Sequence, residues 1–230
     1  MTDDTFQLIE TMLWRRGEGY RLLDRHFARL AASAAHFGFR SDPVAIHDSL
    51  NDLAATLAAD AHRVRLLLAA DGALSLSHEP IDASARATPL VVGWACRPVD
   101  SRDPLLRHKT TRRALFEEEL ARGRMKDGAE EVLFVNERGE VTEGSWTTLF
   151  VEIAGRLVTP PLAAGLLPGT LRQELLETTG LAERILRPRD VSAADRIFMG
   201  NSVRGLMAAR LTPRPGTPRP AGSTGAHSGH

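Results

Sequence analysis

Lysine is almost absent from this chain. Among 29 basic residues only Lys109 and Lys126 are lysine, and the other 27 are arginine. Cysteine is scarcer still: Cys96 stands alone, which excludes an intrachain disulfide and a cysteine-rich metal site and suits a reducing compartment. No apolar run reaches the ~18 residues of a membrane-spanning helix. The N-terminus, MTDDTFQLIETM, lacks the basic and then apolar segments of a secretory signal. A soluble, cytoplasmic protein is therefore expected. Net charge is missing too, since 29 acidic residues balance the 29 basic ones. That excludes a broad electrostatic binder of nucleic acid or anionic membrane, which needs a surplus of cations. With 230 residues, 43% of them hydrophobic, the chain can bury one large core or two smaller ones.

Residues 6–14 (FQLIETMLW) and 20–23 (YRLL), joined by a polar turn with two glycines, read as a hairpin. From Asp24 the apolar positions Phe27, Leu30, Ala31, Ala34, Ala35 and Phe37 have helical spacing, and Gly38 supplies a stop. A second helix around Leu50, Leu53 and Leu57 follows Ser41 and Asp42, both capping candidates. VRLLLAADGALSLS then turns at Asp71-Gly72 between two strands, and PLVVGWA adds a third. Arg97–Leu106, with Pro98 and Pro104, reads as an interdomain linker. His108–Gly123 has helical spacing. Two hairpins follow, turning at Arg138-Gly139 and Ala154-Gly155, and Pro168-Gly169 opens a helix over Thr170–Thr179 that Gly180 ends. RIFMG is a short strand leading into Asn201–Ala209. Beyond Thr212 the prolines and small polar residues predict a disordered tail. His227 and His230 lie in it and are not read as metal ligands. No internal repeat precedes it.

The lysine count bears on chemistry. An amine can lose its proton and form an imine, whereas a guanidinium stays charged, so a chain that otherwise uses arginine has a reason to keep Lys109 in RHKTTRRALF. Read alone, Lys109 is either that reactive amine or a surface lysine left by drift; Lys126, in MKDG, reads as the latter. The backbone N–H groups of Thr170 and Leu171 at a helix start could hold an anion. Arg29, beside Phe27 and Leu30, either brings a guanidinium to such an anion or is a solvated arginine on an amphipathic helix.

Together these segments resemble a known family. HFARL at 26–30, HKTTRR at 108–113, VTEG at 141–144, LVTPP and GLLPGTLR within 157–172, and MGNSVRGL at 199–206 stand in the order and spacing of the class IV pyridoxal-phosphate enzymes. That family includes branched-chain and D-amino-acid aminotransferases and 4-amino-4-deoxychorismate lyases. LIETM, LLDRHFARLAASA, DSRDP and NSVRG resemble the lyase branch most. The resemblance implies an α/β (α+β type), two-domain fold type IV protein like D-amino-acid aminotransferase: an N-terminal domain over 1–96, a linker over 97–106, a cofactor-binding domain over 107–212 and a tail over 213–230.

It further implies pyridoxal 5'-phosphate as cofactor, a small-molecule substrate and a homodimer, with no metal. Lys109 would be the Schiff-base lysine and proton carrier, and Glu143 the partner of the pyridine nitrogen. Arg29, Thr170, Leu171, Asn201 and Ser202 would hold the phosphate. Arg107 and His108 become candidates for a dianionic substrate, with Arg107 equally readable as an exposed linker residue. The lyase would release pyruvate and 4-aminobenzoate for folate precursor synthesis. The rivals are a class IV aminotransferase and a non-catalytic family member. Three departures accompany the resemblance. The chain opens almost at FQLIETM, so part of the substrate-side wall is expected to be missing. Thr148 stands where an asparagine is common. Leu13 replaces an arginine found in the two aminotransferase branches, which favours the lyase.

Overall fold

A computed structural model describes residues 6–213 apart from 83 and 85. Strands β1 (Leu8–Arg15) and β2 (Gly19–Tyr20) form the first hairpin, followed by helices α1 (Leu23–Phe37) and α2 (Pro43–Thr56) and by strands β3 (Ala61–Leu68) and β4 (Leu74–Pro80). These four strands make one sheet in the order β2-β1-β3-β4. Asp42 starts α2, its side chain accepting from the N–H groups of Val44 at 3.0 Å and Ala45 at 3.2 Å. Gly38 ends α1 in the left-handed conformation.

The register of β1 and β3 sorts side chains by face. Glu10 pairs with Leu66, Met12 with Val64 and Leu8 with Leu68, whereas Thr11 pairs with Arg65 and Leu13 with Arg63. Residues two apart share a face of a strand. One face therefore carries Leu8, Met12, Val64, Leu66 and Leu68, which close a core with Leu30, Ala34, Ile46 and Leu50 of the two helices. The other face carries Ile9, Thr11, Arg63 and Arg65.

The second sheet is built from β5 (Leu90–Trp94), β6 (Glu131–Val135), β7 (Val141–Gly144), β8 (Thr148–Ile153), β9 (Arg156–Thr159), β10 (Ala182–Glu183), β11 (Arg196–Asn201) and β12 (Gly205–Leu211). Their order is β10-β9-β8-β11-β12-β5-β6-β7, with both parallel and antiparallel pairs. Helix α3 (Ala114–Asp127) packs on β6, α4 (Thr170–Thr178) on β11, and a short helix α5 (Pro188–Ser192) leads into β11. In that order β7 and β8 are five positions apart, roughly 24 Å if the sheet were flat. Only Ser145, Trp146 and Thr147 join them, a chain reach of about 15 Å between flanking residues. The sheet must therefore curl, and the Gly144 N–H does donate to the Thr147 carbonyl at 2.8 Å.

Three expectations change. The helix read over His108–Gly123 begins at Ala114, because the backbone before it pairs with β1 instead: Ile9 donates to the Lys109 carbonyl at 2.8 Å and Thr111 donates to Gln7 at 2.9 Å. The strand Leu90–Trp94, assigned above to the N-terminal part, lies between β12 and β6 in the larger sheet, so sheet membership changes before Leu90 and not at 97–106. The linker itself is bonded in place, with Val99 donating to the Val135 carbonyl at 3.1 Å and Ser101 buried. The tail from 214 onward, with His227 and His230, lies outside the described residues.

Candidate active site

Where the polar face of the smaller sheet meets the curled end of the larger one lies a cavity of about 270 Å³. Lys109 enters it from the segment that is hydrogen-bonded to β1, Glu143 from β7, Arg29 from α1, and Thr170 and Leu171 from the first turn of α4. Residues distant in sequence thus share one space, each placed by backbone that has its own partners.

Burial first, and then the charges of Arg113 and Arg29, bring the Lys109 amine down to about 7, against the opposing pull of Glu10 and Glu143. Burial pushes Glu143 up to about 8, against the Leu167 N–H and the charges of Arg113 and Lys109. The two groups therefore titrate close together, and a proton moves to or from either at small cost near neutral pH. Glu143 is 8% exposed, and its Oε1 accepts from the Leu167 N–H at 3.0 Å.

At the α1 end, Arg29 meets Glu10 through two hydrogen bonds, Nε to Oε1 at 2.9 Å and Nη2 to Oε2 at 2.6 Å, and its Nη1 donates to the Pro168 carbonyl at 3.2 Å. Thr170 begins α4 after Gly169. Its N–H and those of Leu171 and Arg172 have no partner within the helix, which favours an anion there. At the β7–β8 turn, the buried Glu131 carboxyl accepts from the N–H groups of Ser145 at 2.7 Å and Trp146 at 3.1 Å and from Thr147 Oγ1 at 2.6 Å. It braces three residues that line the cavity.

Of the residues named from sequence, Lys109, Glu143, Arg29, Thr170, Leu171, Asn201, Ser202 and His108 line this cavity, and Arg107 is exposed and does not. His108 is turned towards α1, where Nδ1 lies 2.9 Å from Ser33 Oγ and the ring stacks on His36 at 4.4 Å. Asn201 shapes its own turn: Oδ1 accepts from Val203 at 3.0 Å and Arg204 at 2.9 Å. Ser202 Oγ donates to the Thr11 carbonyl at 3.2 Å. Thr148 lines the cavity beside Gly169. Leu13 is 3% exposed and is not among the lining residues.

Sequence reading missed Trp146 and the arginines 63, 65, 112, 113 and 204 as cavity-lining residues, and Glu10 as the partner of Arg29. The signal for Arg63 and Arg65 was the alternation in HRVRLLL, which puts both on one face of a strand whose other face is buried. Arg113, which donates to the Ser145 carbonyl, stood inside the quoted HKTTRR.

The family model described as amino-transferase class IV matches residues 7–211. The chain belongs to this family. Its members are fold type IV enzymes that use pyridoxal phosphate, and the curled mixed sheet is that fold. A solved structure from Mesorhizobium loti, named "Putative amino-acid aminotransferase", is 43% identical and superimposes with a TM-score of 0.84 over 90% of this chain and 100% of its own. A protein of Schizosaccharomyces pombe named "Putative aminodeoxychorismate lyase" is 28% identical over 90% of each chain. The 4-amino-4-deoxychorismate lyase of Pseudomonas aeruginosa, 24% identical, shares the fold with a TM-score of 0.75 over 90% of this chain and 83% of its own. Among the described residues no helix is long and apolar enough to cross a membrane.

Proposed function

We propose that the protein is a pyridoxal-phosphate-dependent 4-amino-4-deoxychorismate lyase, acting as a cytoplasmic homodimer. The observation that carries this reading is the composition of the cavity. A lysine with a lowered pKa and a buried carboxyl share it with Arg63, Arg65, Arg112, Arg113 and Arg204. Such a lining suits a substrate with two carboxylates, and Trp146 offers a flat apolar wall to a ring. The full-length similarity to the fission yeast protein supports the same choice.

The residues fit the cofactor. Arg29 and the free N–H groups at the start of α4 would hold its phosphate, Glu143 its ring nitrogen and Lys109 its aldehyde carbon. When bound, it supplies an electron-accepting ring that stabilises the negative charge left when the carbon beside the substrate amine loses its proton. Lys109 Nζ takes that proton, for which an amine titrating near neutrality is matched. Glu143, once ionised against the bound cofactor, would favour the protonated form of its ring nitrogen. Arg29 and Thr170 fix one end of the assembly so that Lys109 meets the correct carbon. The braced 145–147 turn and the Ile9, Thr11, Arg63 and Arg65 face of the small sheet form walls of the site. The two products, 4-aminobenzoate and pyruvate, together contain every atom of the substrate, so no acceptor or oxidant is consumed.

The second reading, an aminotransferase, is favoured by the 43% identical relative, and the same arginines suit a dicarboxylic amino acid. Incubation with aminodeoxychorismate in the absence of any 2-oxo acid separates the two. Equal amounts of pyruvate and 4-aminobenzoate are expected. No product there, with amino-group transfer from an amino acid to 2-oxoglutarate, establishes the aminotransferase instead.

A further inference from the structure

Two buried groups beside the cavity have no part in the reaction described above. Glu10 lies on the core face of β1 and is 1% exposed, and His26 on α1 is fully buried. A lone carboxylate among Leu8, Met12 and Leu30 would be strongly unfavourable. Here burial raises the Glu10 carboxyl, but the Arg29 charge and the hydrogen bonds from His26 and Arg29 outweigh it and hold the group down at about 2. Glu10 is therefore ionised and can only accept, so His26 Nδ1, 2.5 Å from Oε2, carries the donated proton. Burial holds His26 below its ordinary value, against the opposing pull of Glu10. Its other ring nitrogen, Nε2, lies 3.4 Å from Thr170 Oγ1.

The count of donors on Arg29 is informative. A guanidinium has five N–H groups. Glu10 occupies two and Pro168 one, which leaves one on each terminal nitrogen of a side chain that lines the cavity. We propose that Glu10 and His26 are positioning residues for an anion in this end of the cavity. Glu10 holds one edge of the Arg29 guanidinium so that the two remaining donors are presented together, and His26 links the same carboxylate to Thr170. The inference rests on the reading of this end as the cofactor's phosphate site.

The test compares two ligands that differ only in that phosphate. Dissociation constants for pyridoxal phosphate and for pyridoxal are measured by equilibrium dialysis on the full chain freed of cofactor, for the wild type, Glu10→Gln and His26→Gln. The ratio of the two constants isolates the phosphate. The preference for pyridoxal phosphate is expected to fall about tenfold in Glu10→Gln and about threefold in His26→Gln, with pyridoxal binding within about twofold of wild type. An unchanged ratio, or parallel weakening of both ligands, would show that the network only ties α1 to β1 and would overturn the proposal. Should Glu10→Gln not fold, the ratio for His26→Gln decides alone. A wild type that binds both ligands equally sinks the phosphate reading itself, a result distinct from variants that retain the wild-type preference.

Discussion

The backbone N–H of Leu167 donates to Glu143 Oε1 at 3.0 Å, so the loop leading into α4 grips the carboxyl proposed to face the cofactor's ring nitrogen. Glutamine keeps that acceptor and loses the acid. Glu143→Gln is expected to melt within a few degrees of wild type and still to capture pyridoxal phosphate, while turnover falls by about 100-fold or more. Steady-state kinetics beside a thermal melt check this.

The lowered Lys109 pKa sets the pH dependence of cofactor capture. With a value of about 7, the neutral fraction of the amine rises roughly tenfold between pH 6 and pH 8 and then levels. Capture by the cofactor-free protein, followed by absorbance, should do the same. An ordinary lysine would give a rate that climbs on towards pH 10.

The same shift makes Lys109 a cost to the fold. Its folded value lies below the unfolded one, so between about pH 7 and pH 10 the unfolded chain binds more protons and stability rises with pH. The penalty is fully present below pH 7. Lys109→Met should stabilise the cofactor-free protein at pH 7 by on the order of 2 kcal/mol, and by much less at pH 10. Denaturant titrations at the two pH values measure the difference.

Gly169 is needed for space. A Cβ there would stand 2.8 Å from Thr148 Oγ1, and its φ of −64° poses no backbone obstacle to alanine. Gly169→Ala should cost about 1–3 kcal/mol, and adding Thr148→Ala should recover most of it. Chemical denaturation of the single and double variants tests the coupling. Thr148 occupies the space against the glycine at the start of α4.

Much of this was legible in the sequence, and the failures have a common cause. The helix ending at Gly38, the cap at Asp42 and the turns at Asp71-Gly72 and Ala154-Gly155 are local, set by a few adjacent residues. Lys109, Glu143 and Arg29 were named from their motifs, and all three line the same cavity. The start of α3 was misjudged because the alternative partner for residues 109–111 is β1, about 100 residues earlier. Arg107 was named for its place beside Lys109, yet it is exposed whereas Lys109 lines the cavity. Glu10 escaped notice because its partners, His26 and Arg29, reach it only when α1 folds over β1.

The central claim is that Lys109 carries the cofactor, and borohydride reduction of the protein with pyridoxal phosphate tests it most directly. The scarcity of lysine makes the readout clean, since Lys126, exposed in the last turn of α3, is the one alternative side-chain amine. Peptide mapping should place the reduced label on Lys109. Label on Lys126, or none after reduction, would contradict the account.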